Sequence, residues 1–266
     1  MITSEALQEF ISSIPPRPEQ LKLTLDLLNQ GELVKAANAA SEDLALSTYL
    51  RTFVNRPIFF FQKEIKEVKQ IFGILGLAKA KELLYHYMIH LFSPKKWQLF
   101  DLNEHSFSDL QATLSSYWKK VLDHEEIKDQ NITALISLVP ATIIVTELIF
   151  ASHIKEVALL RETKRLDYNT ILERLVGVNL FDLSEMIGQT WEMDPKSLKV
   201  LKASSGLKPC KESKLCKCAK YMHMLLFYTL SQPQFLECGL NDFLDFNPEF
   251  VMPIMEEFQT IISEES

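Results

Sequence analysis

The best metal-binding geometry in the sequence is Glu82, His86 and His90, which recur every fourth residue and share one face of a helix. His86 and His90 could together grip an ion. Glu82 and His90 stand eight residues apart, about 12 Å along a helix rising 1.5 Å per residue, and cannot both reach it. An HExxH pair is also excluded, because Tyr87 follows His86. Leu84, Tyr87, Met88 and Leu91 lie on the opposite side. The histidine face is therefore expected to be a polar stripe turned to solvent. Cys210, Cys216 and Cys218, with His223 and Cys238 nearby, raise the question of zinc. Structural zinc sites favour C-x₂₋₄-C pairs, which neither gap provides, and Cys216 and Cys218 would point about 200° apart on a helix. They read as small buried apolar side chains. Lys208, Lys211, Lys214, Lys217 and Lys220 form a basic run opposed only by Glu212. It reads as a solvated helix face, or alternatively as a docking patch for an acidic partner or a phosphate-bearing ligand.

Other chemistries find little support. There is no GxGxxG, GxxxxGK[ST] or GxSxG, and 7 glycines leave little material for a phosphate-cradling loop. The balance of 35 acids against 28 bases, a net charge of −7, argues against a chain-wide nucleic-acid footprint.

The elements that must position these residues are helical almost throughout, and alternating strand patterns are absent. Ser4 opens a first helix that ends before Ile14-Pro15-Pro16-Arg17-Pro18. Leu21, Leu25 and Leu28 mark the next, up to Gly31. A short helix covers 33–40, and Ser41 reads as the N-cap of another whose stripe is Leu44, Leu46, Tyr49, Leu50 and Phe53. Asn55-Arg56-Pro57 breaks it, and Phe59-Phe60-Phe61 is expected to pack under a loop. Further helices are predicted to Gly76, from there to Phe92, and over 110–122, 154–160, 168–177, 183–191, 195–203, 215–230 and 250–262. The apolar stretch Ile132 to Ala151, interrupted by Pro140 and Glu147, reads as a core helix rather than a membrane span. The N-terminus has no signal-peptide pattern, and four cysteines fit thiols in a reducing cytoplasm.

Several of these landmarks occur in a familiar order. Ile14 to Pro18 resembles the LPPLP opening of the HDOD domain, an all-α relative of the HD phosphohydrolases found in bacterial signalling. Ser41 to Arg56 resembles that family's SDP-to-NS helix, with Asp43 where the family has proline and with Asn55 kept. Ile65, Val68, Gln70 and Leu75-Gly76-Leu77 resemble its third element, although Ile71 stands where alanine is usual. Trp191 and Pro195 are similar to its WxLP segment, with one extra residue between them. The likeness spans roughly residues 10–230.

This resemblance implies one HD-like domain over 1–266, divided near residue 108 into an N-terminal helical part and a degenerate HD-like part over 109–266. HD hydrolases hold metal through an adjacent His-Asp pair and an earlier histidine, and the metal activates a water. The dipeptide His-Asp does not occur here. Its slot falls near Pro140-Ala141, and that of the earlier histidine near Trp118-Lys119-Lys120. The expectation is a cytoplasmic, non-enzymatic signalling module working through protein partners, with no metal, cofactor, nucleic acid or membrane. The rival is a divergent metal-dependent phosphohydrolase using His86, His90 or His124 as replacement ligands. A third class, an RNA- or DNA-binding adaptor using Lys208–Lys220, is disfavoured by the net charge.

Overall fold

A computed structural model describes residues 4–13, 18–55, 63–208, 213–240, 243–244 and 246–263. Among them there are helices and turns but no strand, so the chain is all-α. It divides into two compact units: Ile14–Ser93, and Met1–Ser13 with Pro94–Ser266.

The helix α1 (Ser4–Ser13) belongs to the second unit. The first unit contains α2 (Glu19–Asn29), α3 (Leu33–Glu42), α4 (Leu44–Val54) and α5 (Val68–Phe92). Leu21, Leu25 and Leu28 are buried on α2, and Ala36, Ala37 and Ala40 on α3. These short side chains let α3 pack against both α2 and α5. Asp43, not Ser41, caps α4: its carboxylate accepts from the Leu46 N–H at 2.9 Å, while Ser41 stays inside α3 and donates to the Ala37 carbonyl. A charged acceptor three residues before Leu46 suits the positive end of the helix better than a hydroxyl two residues too early. Leu44 starts the helix pointing outward and is 77% exposed, so it leaves the predicted stripe. The Phe59–Phe61 run lies outside the described residues, as do Cys210, Lys211 and residues 14–17.

Asn55 follows α4 and clamps the entry to α5. Its side-chain oxygen accepts from the Ile65 N–H at 2.8 Å, and its amide donates to the Ile65 carbonyl at 2.8 Å. One side chain thus satisfies both backbone groups of a residue ten positions away. Asn55→Ala orphans this peptide and is expected to cost about 2 kcal/mol, read by urea unfolding. A loss below about 0.5 kcal/mol would mean that water replaces the clamp. The break in α5 comes at Gly76, whose φ of 70° and ψ of 179° suit glycine alone. A Cβ there would meet open space, so backbone torsion rather than crowding demands glycine here.

The second unit continues with α6 (Glu104–His124), α7 (Gln130–Ala134), a 3₁₀ turn at Leu135–Ser137, α8 (Leu138–Ala151), α9 (Ile154–Lys164) and α10 (Tyr168–Val176). Then come α11 (Leu180–Thr190), α12 (Pro195–Ala203), α13 (Lys214–Leu230), α14 (Pro233–Leu236), α15 (Pro248–Val251) and, after a 3₁₀ turn at Met252–Ile254, α16 (Met255–Ser263). Side-chain caps were available to mark many of these starts: Asn103, Asp129, Asp167, Asn179, Asp194, Ser213 and Asn247 each accept from the first turn of the following helix. Gln130–Ala151 is apolar enough to cross a membrane, but 89% of its most apolar window is buried and the 3₁₀ turn interrupts it. It is the core of the unit. α8 packs on α11, and Gly188 of α11 permits close approach: a Cβ there would come within 2.4 Å of Leu198 on α12 and 3.0 Å of Leu138 on α8.

Candidate functional site

The positions where the family resemblance places the HD metal ligands are filled by core. Trp118, on the inner face of α6, is buried and donates its indole N–H to the Ile132 carbonyl at 3.0 Å. Its neighbour Lys119 points to solvent and reaches Asp123 at 3.8 Å. Pro140 and Ala141 lie in α8, which is buried over nearly its whole length. Next to them the Thr142 and Ser184 hydroxyls meet at 2.7 Å, and each also lies within hydrogen-bond reach of a carbonyl one turn back in its own helix, Leu138 or Leu180. One hydroxyl donates across and the other donates back. These two polar groups are consumed by each other, and neither Trp118, Pro140 nor Ala141 offers a ligand atom.

The histidine stripe is not on the surface. Glu82 and His86 are buried and only His90 is exposed, because α4 covers that face. The His86 ring meets Phe53 edge-on at 5.5 Å, and Tyr49 lies 5.1 Å from His90 and 4.9 Å from Tyr87. Glu82 pairs with Lys79 at 2.7 Å. Leu84, Tyr87 and Met88 are buried as well, so this part of α5 is enclosed all round and has no solvent face for periodicity to reveal.

Among the described residues the cysteine cluster forms no zinc site. His223 is fully buried; its Nε2 accepts from the Asn247 backbone N–H at 3.0 Å, which fixes Nδ1–H as donor to the Ser204 carbonyl at 2.8 Å. Both ring nitrogens are committed. Cys218 and Cys238 are buried thiols. Burial, with Glu125 nearby, pushes the Cys218 thiol up to about 11, which suppresses thiolate chemistry. Cys216 departs from its reading as a buried apolar thiol: it is disulfide-bonded. It lies in the first turn of α13, where helical periodicity says nothing about which side chains of other segments meet it.

The lysine run is likewise divided. Lys208 is exposed. Lys214 donates to the Glu125 carbonyl at 3.2 Å, and Lys220 sits 6.0 Å above the Phe250 ring. Lys217 is half-buried between two carboxylates, 2.6 Å from Glu125 Oε1 and 3.0 Å from Glu257 Oε1. The uniform solvated face of the sequence reading is thus lost at Lys217.

That ion pair belongs to a cluster the sequence conceals. His124 and Glu125, at the end of α6, meet Glu257 of α16 and Lys217 of α13. His124 Nε2 lies 2.9 Å from Glu257 Oε1. Burial pushes the Glu257 carboxyl up, but hydrogen bonds from His124 and Lys217 outweigh this and hold it down to about 2. Burial lowers the Lys217 ammonium, and its bonds to Glu125 and Glu257 more than reverse that. Of the three histidines weighed as replacement ligands, His124 is the one that, among the described residues, is brought together with carboxylates in this way.

The HDOD family model matches residues 14–205. The chain belongs to the HDOD family. A crystal structure of an HDOD domain protein of unknown function from Geobacter sulfurreducens is similar over 97% of this chain and 95% of that one, with 14% identity and a TM-score of 0.61. At that identity it speaks for the HDOD fold alone. A virulence factor from Campylobacter jejuni aligns over 98% of each chain at 15% identity, with a TM-score of 0.40. No curated protein matches. The HDOD match includes Trp118 and Pro140-Ala141 and stops before α13, so Lys217 and Glu257 lie beyond it.

Proposed function

We propose that this HDOD protein is a non-enzymatic bacterial signalling module, acting through protein–protein contacts without nucleic acid or membrane. One observation carries the reading: where an HD hydrolase places its metal-binding His-Asp pair and earlier histidine, this chain has Pro140-Ala141 and Trp118, all packed in the core. A phosphohydrolase needs a solvent-reached ion and an activated water, and buried apolar side chains supply neither. Signalling roles in this family make a protein partner the natural output, and the net charge of −7 supports the exclusion of nucleic acid.

The test is turnover and capture side by side. Purified protein with Mg²⁺ or Mn²⁺ is expected to hydrolyse neither nucleotides nor a generic phosphodiester, while the tagged chain retains a defined host protein at near-equal stoichiometry. Chelator-sensitive hydrolysis that disappears in His124→Ala would overturn the proposal in favour of the hydrolase.

A further inference from the structure

We propose that His124, Glu125 and Glu257 form a three-ligand site for a divalent transition metal, in which the Lys217 ammonium is the resident substitute. One ligand atom from each of the three residues lies within 4.8 Å of the other two. Small rotations bring such atoms to the roughly 3.4 Å edges of a tetrahedron with bonds of about 2.1 Å. One imidazole and two carboxylates suit zinc and its neighbours rather than calcium or magnesium, and three protein ligands leave a fourth position for water.

Lys217 shows where a cation is wanted. Its Nζ already sits between Glu125 and Glu257, yet one ammonium answers two carboxylates, and Lys214 binds the Glu125 carbonyl rather than its carboxylate. A doubly charged ion matches the pair. The Tyr221 hydroxyl is a separate sign of an unfinished site. Tyr221 is fully buried, and its hydroxyl lies within reach of Glu257 and Glu125, whose hydrogen bonding and charge add to burial in raising its pKa, yet it makes no hydrogen bond at a good angle. A metal-bound water would give that hydroxyl a partner. Entry is open, because the side chains of His124 and Lys217 are 40% and 35% exposed, and the lysine can swing into solvent. Bound metal would then fasten α16 to the end of α6 in place of the ion pairs.

Zinc titration of metal-stripped full-length protein against a chromophoric chelator, with melting temperature as a second readout, tests this. The wild type is expected to bind one zinc per chain and to melt higher with it. Lys217→Met should tighten binding about tenfold by removing the competing cation. His124→Ala and Glu257→Gln, both partly exposed, should keep the fold and abolish the zinc-dependent shift. Stoichiometric zinc binding that survives His124→Ala, or no binding by either the wild type or Lys217→Met, would overturn the proposal. The readout is binding rather than turnover, so its failure is distinct from failure of the signalling assignment.

Discussion

Ala141→Asp is expected to leave the protein largely unfolded at ambient temperature. Ala141 is fully buried in α8, a helix whose residues are apolar and enclosed almost from end to end. An aspartate there would be desolvated with no cation to meet it. The adjacent Thr142 hydroxyl is already engaged with Ser184 and a carbonyl, and a single hydroxyl such as that of Ser137 cannot neutralise a carboxylate. Burying an unpaired carboxylate costs several kcal/mol even when the group neutralises itself, against a total stability of about 5–15 kcal/mol for an ordinary domain. Adding Pro140→His recreates the missing dipeptide and should lose the fold further, with no gain of metal-dependent hydrolysis. Soluble yield and the urea midpoint are the measurements. If Ala141→Asp unfolds within about 0.5 kcal/mol of wild type, the slot is open to solvent and the case against a catalytic ion weakens.

Glu147→Ala should be nearly as damaging, for the opposite reason: it removes a buried charge that is well answered. Glu147 is buried in α8, where its two oxygens accept backbone N–H bonds from Gln98, Leu99 and Phe100. Three successive amides converge on one carboxylate, so a single side chain pins the segment that leads into α6. Truncation leaves the Phe100 amide buried without its partner and frees the segment to move, a loss of about 3 kcal/mol. Glu147→Gln keeps the shape and one accepting oxygen but turns an amide against the N–H groups, so about half that loss is expected. Chemical denaturation of both variants gives the comparison. Hydrogen exchange at residues 98–100 adds a local readout, which should accelerate in both. Equal stability of wild type and Glu147→Ala would show that the carboxylate serves no structural purpose.

Much of the helical framework could be read from the chain because its signals are local. A capping side chain meets a backbone group two or three residues away, and a proline ends a helix by its own ring. Thus Ser4 opens α1, Gly31 closes α2, and the break at Gly76 falls where the sequence places it. The cap of α4 slipped from Ser41 to Asp43 because two acceptors compete within three residues. Leu44 left the core for a related reason: periodicity knows the face but not where the neighbouring helix stops.

Composition and order thus determined the all-α class, the HDOD resemblance and the loss of the His-Asp pair, each written in residues close together along the chain. Tertiary structure alone decided the burial of His86, because Phe53, whose ring meets it edge-on, comes from another helix. It also decided the meeting of His124 with Glu257, 133 residues apart, and the grip of Glu147 on amides 47 to 49 residues before it. Contacts across such separations depend on how helices stack, and no spacing rule along one helix encodes that.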